Sequence, residues 1–181
     1  WRCIGDAAGR PWPDVGGDAA WGRVEPGLDP AATDATALLV GGQVAATYFG
    51  TADFASNDFD TGDFRTWWTA LMGSVPGVPV GGDSALERML AAGPASYDVV
   101  GDTEADAIRL VPGSRDADRL TVSYPEPVVV AEAVVVPVSG AAADRVAGLT
   151  EDLTAALAAT GWRVEGRSTP GTDPTVTVPA D

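Results

Sequence analysis

Residues 53–63 read DFASNDFDTGD, and Asp58, Asp60 and Asp63 are the residues of this chain whose types and spacing first suggest chemistry. Carboxylates this close could share a divalent cation, or could divide into a general acid and a general base without any histidine. The spacing stops short of a calcium-binding helix–loop–helix. Counted from Asp58, the twelfth position should supply a bidentate carboxylate, and it is Thr69. Nothing in the sequence fixes two of these carboxylates at a working separation. A solvated loop that leads into a helix at Asp63 is therefore expected here, with neither metal nor catalytic centre.

The wider composition narrows the chemistry further. The 181 residues include no histidine, which removes the commonest general base and metal ligand. They hold one cysteine, Cys3, so no internal disulfide can form. Cys3 follows Trp1-Arg2 and no apolar leader, and so is not an evident lipid-attachment site. The basic residues are all arginine, and the net charge of −15 argues against nucleic acid or an anionic membrane as partner. No stretch approaches the roughly 20 apolar residues needed to span a bilayer. A chain that begins at Trp1, without Met or leader, is expected of a piece of a longer protein. No cofactor is implied.

The elements that would position any site follow from pattern. Residues 119–138 (RLTVSYPEPVVVAEAVVVPV) alternate at Leu120, Val122 and Tyr124. They then run almost unbroken in β-branched residues after Pro125 and Pro127, as strands buried on both faces do. Residues 1–28 read as an irregular opening segment with a short strand near residues 21–25, its three tryptophans packed under loops. A helix is expected from Asp29-Pro30, with Thr33 and Asp34 as a second possible start; Leu38, Leu39, Ala45, Tyr48 and Phe49 form its apolar face. Its Gly41-Gly42 pair suggests close approach to a sheet. Phe64, Trp67, Trp68 and Leu71 recur at helical spacing up to Pro76-Gly77.

After Val78–Val80, the residues Ser84-Ala85-Leu86-Glu87 have the S-x-x-E form of a capping box, and Leu86, Met89 and Leu90 face inward until Gly93-Pro94. Tyr97 to Val100 form a short buried strand, followed by a polar turn. Residues 103–110 fit a short helix better than a strand. Ser139 caps a last helix, spanning 140–161, with Val146, Leu149, Leu153 and Leu157 on one stripe; residues 162–165 suit a final strand. The expected fold is α/β: a mixed, mostly parallel central sheet flanked by helices. One domain would span 1–166, with a Thr/Pro/Gly-rich tail at 167–181.

Several phrases stand in a familiar order: Trp21-Gly22-Arg23-Val24, Asp29-Pro30 before a Thr-rich helix start, Ala91-Ala92-Gly93 before Tyr97-Asp98-Val99-Val100, then Glu104 before Tyr124-Pro125-Glu126-Pro127. Together, over roughly residues 12–163, they resemble the second lobe of type II periplasmic solute-binding proteins. These are the extracytoplasmic receptors of ABC importers, and the likeness is to the variant found in actinobacterial extracellular proteins. The resemblance implies a location outside the cytoplasmic membrane and a small-molecule solute held, without turnover, between two lobes. It implies ligand contacts from Thr33, Asp34 and Thr36 at the first helix start, from Ser84 at the capped helix, and from Asp102, Thr103 and Glu104 after the short strand. Helix N-termini suit such contacts because their first N–H groups lack partners. Each residue also has a plainer role, as cap or first-turn charge. Asp34 stands where relatives often carry Ser-Gly and, with Asp83 and Asp102, makes the cleft acidic. The expected ligand is therefore cationic or neutral, and not an oxyanion. A competing expectation is a degenerate binding fold reused for protein–protein contact in the cell envelope, read from the acidic cleft and the Trp67-Trp68 pair. An enzyme built on the 53–63 carboxylates is a third.

Overall fold

The computed structural model describes every residue except 33, 78–81, 133–134, 165–170 and 173–181. Among the described residues six α-helices dominate: α1 (Arg2–Ala7), α2 (Ala35–Phe49), α3 (Gly62–Ser74), α4 (Ala85–Ala92), α5 (Glu104–Leu110) and α6 (Gly140–Ala159). Among the described residues strand structure is confined to β1 (Pro26–Gly27) and β2 (Val99–Val100), paired in parallel with Pro26 opposite Val99 and Gly27 opposite Val100. An isolated antiparallel bridge joins Pro11 to Arg23. No described helix is long and apolar enough to cross a membrane.

This overturns the expected α/β fold with a mostly parallel central sheet. The described part of residues 119–138 forms no ladder. It runs beside α2 and emerges into solvent, where Val136 is 71% and Val138 94% exposed. β-Branched residues favour extended backbone, but a strand also needs a neighbour to pair with, and composition says nothing about the neighbour. The two described strands are two residues each and offer no such edge. Likewise residues 162–164 are not strand, and Glu165 lies outside the described residues.

The core is helical and aromatic. Leu28, Val44, Ala45, Phe64, Trp67 and Leu71 are buried together, with Trp1, Tyr48, Phe49, Phe54, Phe59 and Trp68 packed around them. Phe49 stacks on Phe64 at 4.9 Å between ring centroids, and Tyr48 leans on Trp67 at 4.8 Å. Such pairs stabilise by about 0.5–1.5 kcal/mol beyond their burial. The opening residues, expected to be irregular, instead begin with α1, which lies against α3. Gly5 permits this approach: a Cβ there would meet the Trp67 ring at 2.1 Å. The Trp67 indole N–H donates to Asp6 of α1 at 2.9 Å, closing the contact. A Cβ on Gly41 would stand 3.7 Å from Trp68, an ordinary contact distance, and one on Gly42 would meet nothing within 4 Å, so the glycine pair in α2 does not mark a close approach to a sheet.

Helix ends follow local chemistry. α2 starts at the second of the two possible caps: Asp34 Oδ1 accepts from Ala37 N at 2.7 Å. Asp29-Pro30 stays outside the helix, which frees the Asp29 side chain for another element. Ser84 and Glu87 form the reciprocal capping box of α4, and Ser139 caps α6. Asp58 accepts from Ala55 N, so the acidic loop uses that carboxylate to close its own turn. Among the described residues no three His, Cys, Asp or Glu side chains gather so as to hold a metal ion.

Candidate functional site

β1 and β2 run in the same direction, and each is followed after one residue by an aspartate. Extending the Gly27–Val100 register by two residues sets Asp29 opposite Asp102. The bend after β2 is tight, because a Cβ on Gly101 would lie 2.4 Å from Val40 and 3.0 Å from Trp1. Glycine at 101 thus lets the chain pass under α2 and deliver Asp102 to the same place as Asp29.

The start of α4 lies between the two carboxylates. Asp29 Oδ2 accepts from Ala85 N at 2.7 Å, and Asp29 Oδ1 from Arg88 Nη2 at 2.8 Å. Ser84 Oγ donates to Asp102 Oδ2 at 3.2 Å and accepts from Glu87 N at 3.1 Å, while Glu87 Oε2 accepts from Ser84 N at 2.8 Å. Arg88 also donates from Nε to the Tyr97 hydroxyl at 3.1 Å. Two first-turn N–H groups of α4 are therefore satisfied by side chains, one of which, Asp29, arrives from the residues after β1.

α5 starts on the other side of Asp102. Thr103 N donates to Asp102 Oδ1 at 2.7 Å. Thr103 caps α5 by accepting from Asp106 N at 3.1 Å, and its hydroxyl donates to Asp106 Oδ2 at 2.8 Å. Arg109 completes the row with a 2.6 Å contact to Asp106 Oδ1. Burial, followed by the negative charge of Asp106, pushes Asp102 up to about 6, against the pull of the Thr103 and Ser84 hydrogen bonds. For Asp106 burial works in the same upward direction, but the bonds from Arg109 and Thr103 win and hold it below the usual carboxylate range.

The expected site residues divide accordingly. Ser84, Asp102 and Thr103 are brought together. Glu104 is adjacent in sequence but engaged elsewhere. Arg163 grips it through two 2.7 Å bonds, and the Tyr124 hydroxyl donates to it as well. Both of its carboxylate oxygens thus tie the end of α6 and the 119–138 segment to α5, where a ligand contact was expected. Asp34 caps α2 and Thr36 sits half-buried in its first turn, with no contact to Ser84 or Asp102 described. Thr33 lies outside the described residues.

Three members of the cluster are not evident from the sequence as site residues. Asp29 reads there as a helix start. Asp106 completes a T-x-x-D pattern with Thr103 that signals a cap as Ser84-x-x-Glu87 does. Arg88 has no local signal, since its partners Asp29 and Tyr97 come from other elements.

Two open clefts lie apart from the cluster. One, of about 380 Å³, is lined by Phe59, Phe64, Arg65, Trp68 and Thr69; the other, of about 510 Å³, includes Arg2, Asp6, Tyr48, Asp63 and Trp67. Trp67 is buried and Trp68 stacks on Phe64, so the pair does not make the exposed patch that an interaction surface would need.

Comparisons with protein-family models, with curated proteins and with solved structures find no match for the chain.

Proposed function

We propose that the chain is a non-catalytic binding domain, one lobe of an extracytoplasmic solute receptor, and that its ligand face is the Asp29–Ser84–Asp102 cluster. The observation that carries this reading is the convergence of Asp29 and Asp102, each two residues past its parallel strand, on the N-terminus of α4. The order of phrases that resembles solute-binding proteins supports the same reading. The ligand would be cationic or neutral. The first-turn donors are already taken, Ala85 N by the Asp29 carboxylate and Glu87 N by the Ser84 hydroxyl, which itself donates to the Asp102 carboxylate. An oxyanion would face repulsion there. Titration calorimetry with arginine, spermidine, glucose and sulfate in about 150 mM salt, a strength that screens exposed charges, tests it. Saturable heat from a cationic or neutral probe that Ser84→Ala weakens supports the reading; heat from sulfate alone refutes it.

A second reading has its own observation. Val135, Val136, Val138, Leu149 and Leu153 are exposed along the approach to α6 and on α6 itself. Apolar side chains gathered at a surface are characteristic of interfaces, which favours a domain used for protein–protein contact in the cell envelope. Concentration-dependent sedimentation, or retention of an envelope partner that Leu149→Glu abolishes, would support it. A monodisperse chain that retains no partner from envelope extracts would count against it.

A further inference from the structure

The larger of the two open clefts lies where α1 packs against α3, beside the C-terminal end of α2. Its walls carry Asp6 of α1, Tyr48 of α2, and Asp63 and Trp67 of α3. One guanidinium already sits among them, that of Arg2. Its Cζ stands 4.1 Å over the centroid of the Tyr48 ring. Its Nη1 donates to the Tyr48 carbonyl at 3.1 Å, and its Nε lies 3.6 Å from Asp6 Oδ1.

Each contact answers to one property of a guanidinium. The aromatic face attracts its positive charge. Tyr48 O belongs to the last turn of α2, where carbonyls lack intrahelical partners and mark the negative end of the helix dipole. Asp6 supplies the opposite charge and is itself held in place, because its Oδ1 also accepts from the Trp67 indole N–H at 2.9 Å. Asp63 adds a second carboxylate, so these walls hold two acids to one cation. The Arg2 side chain is nonetheless 49% exposed, so it can swing into water while the aromatic core beneath stays closed.

We propose that this cleft is a binding site for a guanidinium group and that Arg2 is its built-in occupant. The ligand class is an alkyl guanidinium, free or carried on an arginine side chain of another polypeptide. It takes the place of Arg2 over the Tyr48 ring, between the Tyr48 carbonyl and Asp6. An Arg2 seated about nine-tenths of the time weakens such a ligand about tenfold, because only the open fraction binds. The cleft stands apart from Asp29, Ser84 and Asp102, so Ser84→Ala leaves it unchanged and either reading can fail alone.

Arg2→Ala opens the cleft, and the Trp67 indole N–H, bonded to Asp6, reports on it. An NMR titration of this variant with N-methylguanidinium should shift that signal saturably, with an apparent affinity about tenfold weaker in the wild type. Methylammonium at the same ionic strength should shift it little, since an ammonium lacks the planar fork. Adding Asp6→Asn keeps an acceptor for the indole but removes the charge, and should weaken binding several-fold. N-acetylarginine amide separates the two sources. Tighter binding than N-methylguanidinium assigns the cleft to an arginine side chain, and equal or weaker binding to a free small guanidinium. No saturable shift in folded Arg2→Ala, an equal shift from methylammonium, or an affinity that Asp6→Asn leaves unchanged would overturn the proposal. The wild type gives a readout that needs no variant: Overhauser contacts between Arg2 Nε–H and the Tyr48 ring are expected, and their absence would overturn Arg2 as the occupant.

Discussion

Val129 N donates to Gln43 Oε1 at 2.6 Å, while Gln43 Nε2 donates to Pro127 O at 2.6 Å, so one amide side chain grips the backbone of the valine-rich segment on both sides of Val128. Gln43 therefore does for this segment what a neighbouring strand does in a sheet. It supplies one acceptor and one donor in register with an extended backbone. Its own position is set by α2, where Thr47 Oγ1 donates back to Gln43 O at 2.9 Å. This one side chain fastens the run that the sequence marked for a sheet onto a helix.

Replacing Gln43 with Leu keeps the volume and removes both bonds. The expected cost is about 1–3 kcal/mol, because Val129 N and Pro127 O lose their partners in a half-buried setting. Hydrogen exchange locates the effect: the Val129 amide should lose protection while those of α3 keep theirs.

Glu104 and Arg163 fasten the other end. Glu104→Gln keeps the shape but loses the charge that the two-point contact with Arg163 uses, and the expected loss is about 1–3 kcal/mol. Limited proteolysis should then cut near the end of α6 sooner than in the wild type. Were Glu104 a ligand contact instead, the change would alter binding and leave the proteolysis pattern as it was.

Gly5→Ala tests the aromatic core from the side of α1. The added Cβ would overlap the Trp67 ring, so either α1 lifts away or the ring turns out of contact with Tyr48. A cost of about 1–3 kcal/mol or more is expected, with loss of near-ultraviolet tryptophan dichroism. Gly42→Ala, where nothing lies within 4 Å of the added carbon, should be neutral to stabilising.

What the sequence made legible was local. Ser84-x-x-Glu87, Asp34 and Ser139 announce helix starts because a cap and the N–H it serves lie within three residues. The meeting of Asp29 with Arg88 joins a strand end to a helix far along the chain, and no spacing rule encodes it. The valine run misleads for the complementary reason. Its residues do favour extended backbone, but whether an extended segment joins a sheet depends on a partner, and here Gln43 takes that place. Glu104 meets the same limit: its charge is visible in sequence, whereas its engagement by Tyr124 and Arg163 is a fact of packing.

The most direct test of the binding account is an amide-resolved NMR titration of the chain with arginine, spermidine, glucose and sulfate in about 150 mM salt, enough to screen exposed charges. The account predicts saturable shifts from a cationic or neutral probe, concentrated at residues 84–87 and 102–106 and weakened by Ser84→Ala. Shifts produced only by sulfate, or shifts from every probe that avoid those residues, would contradict it.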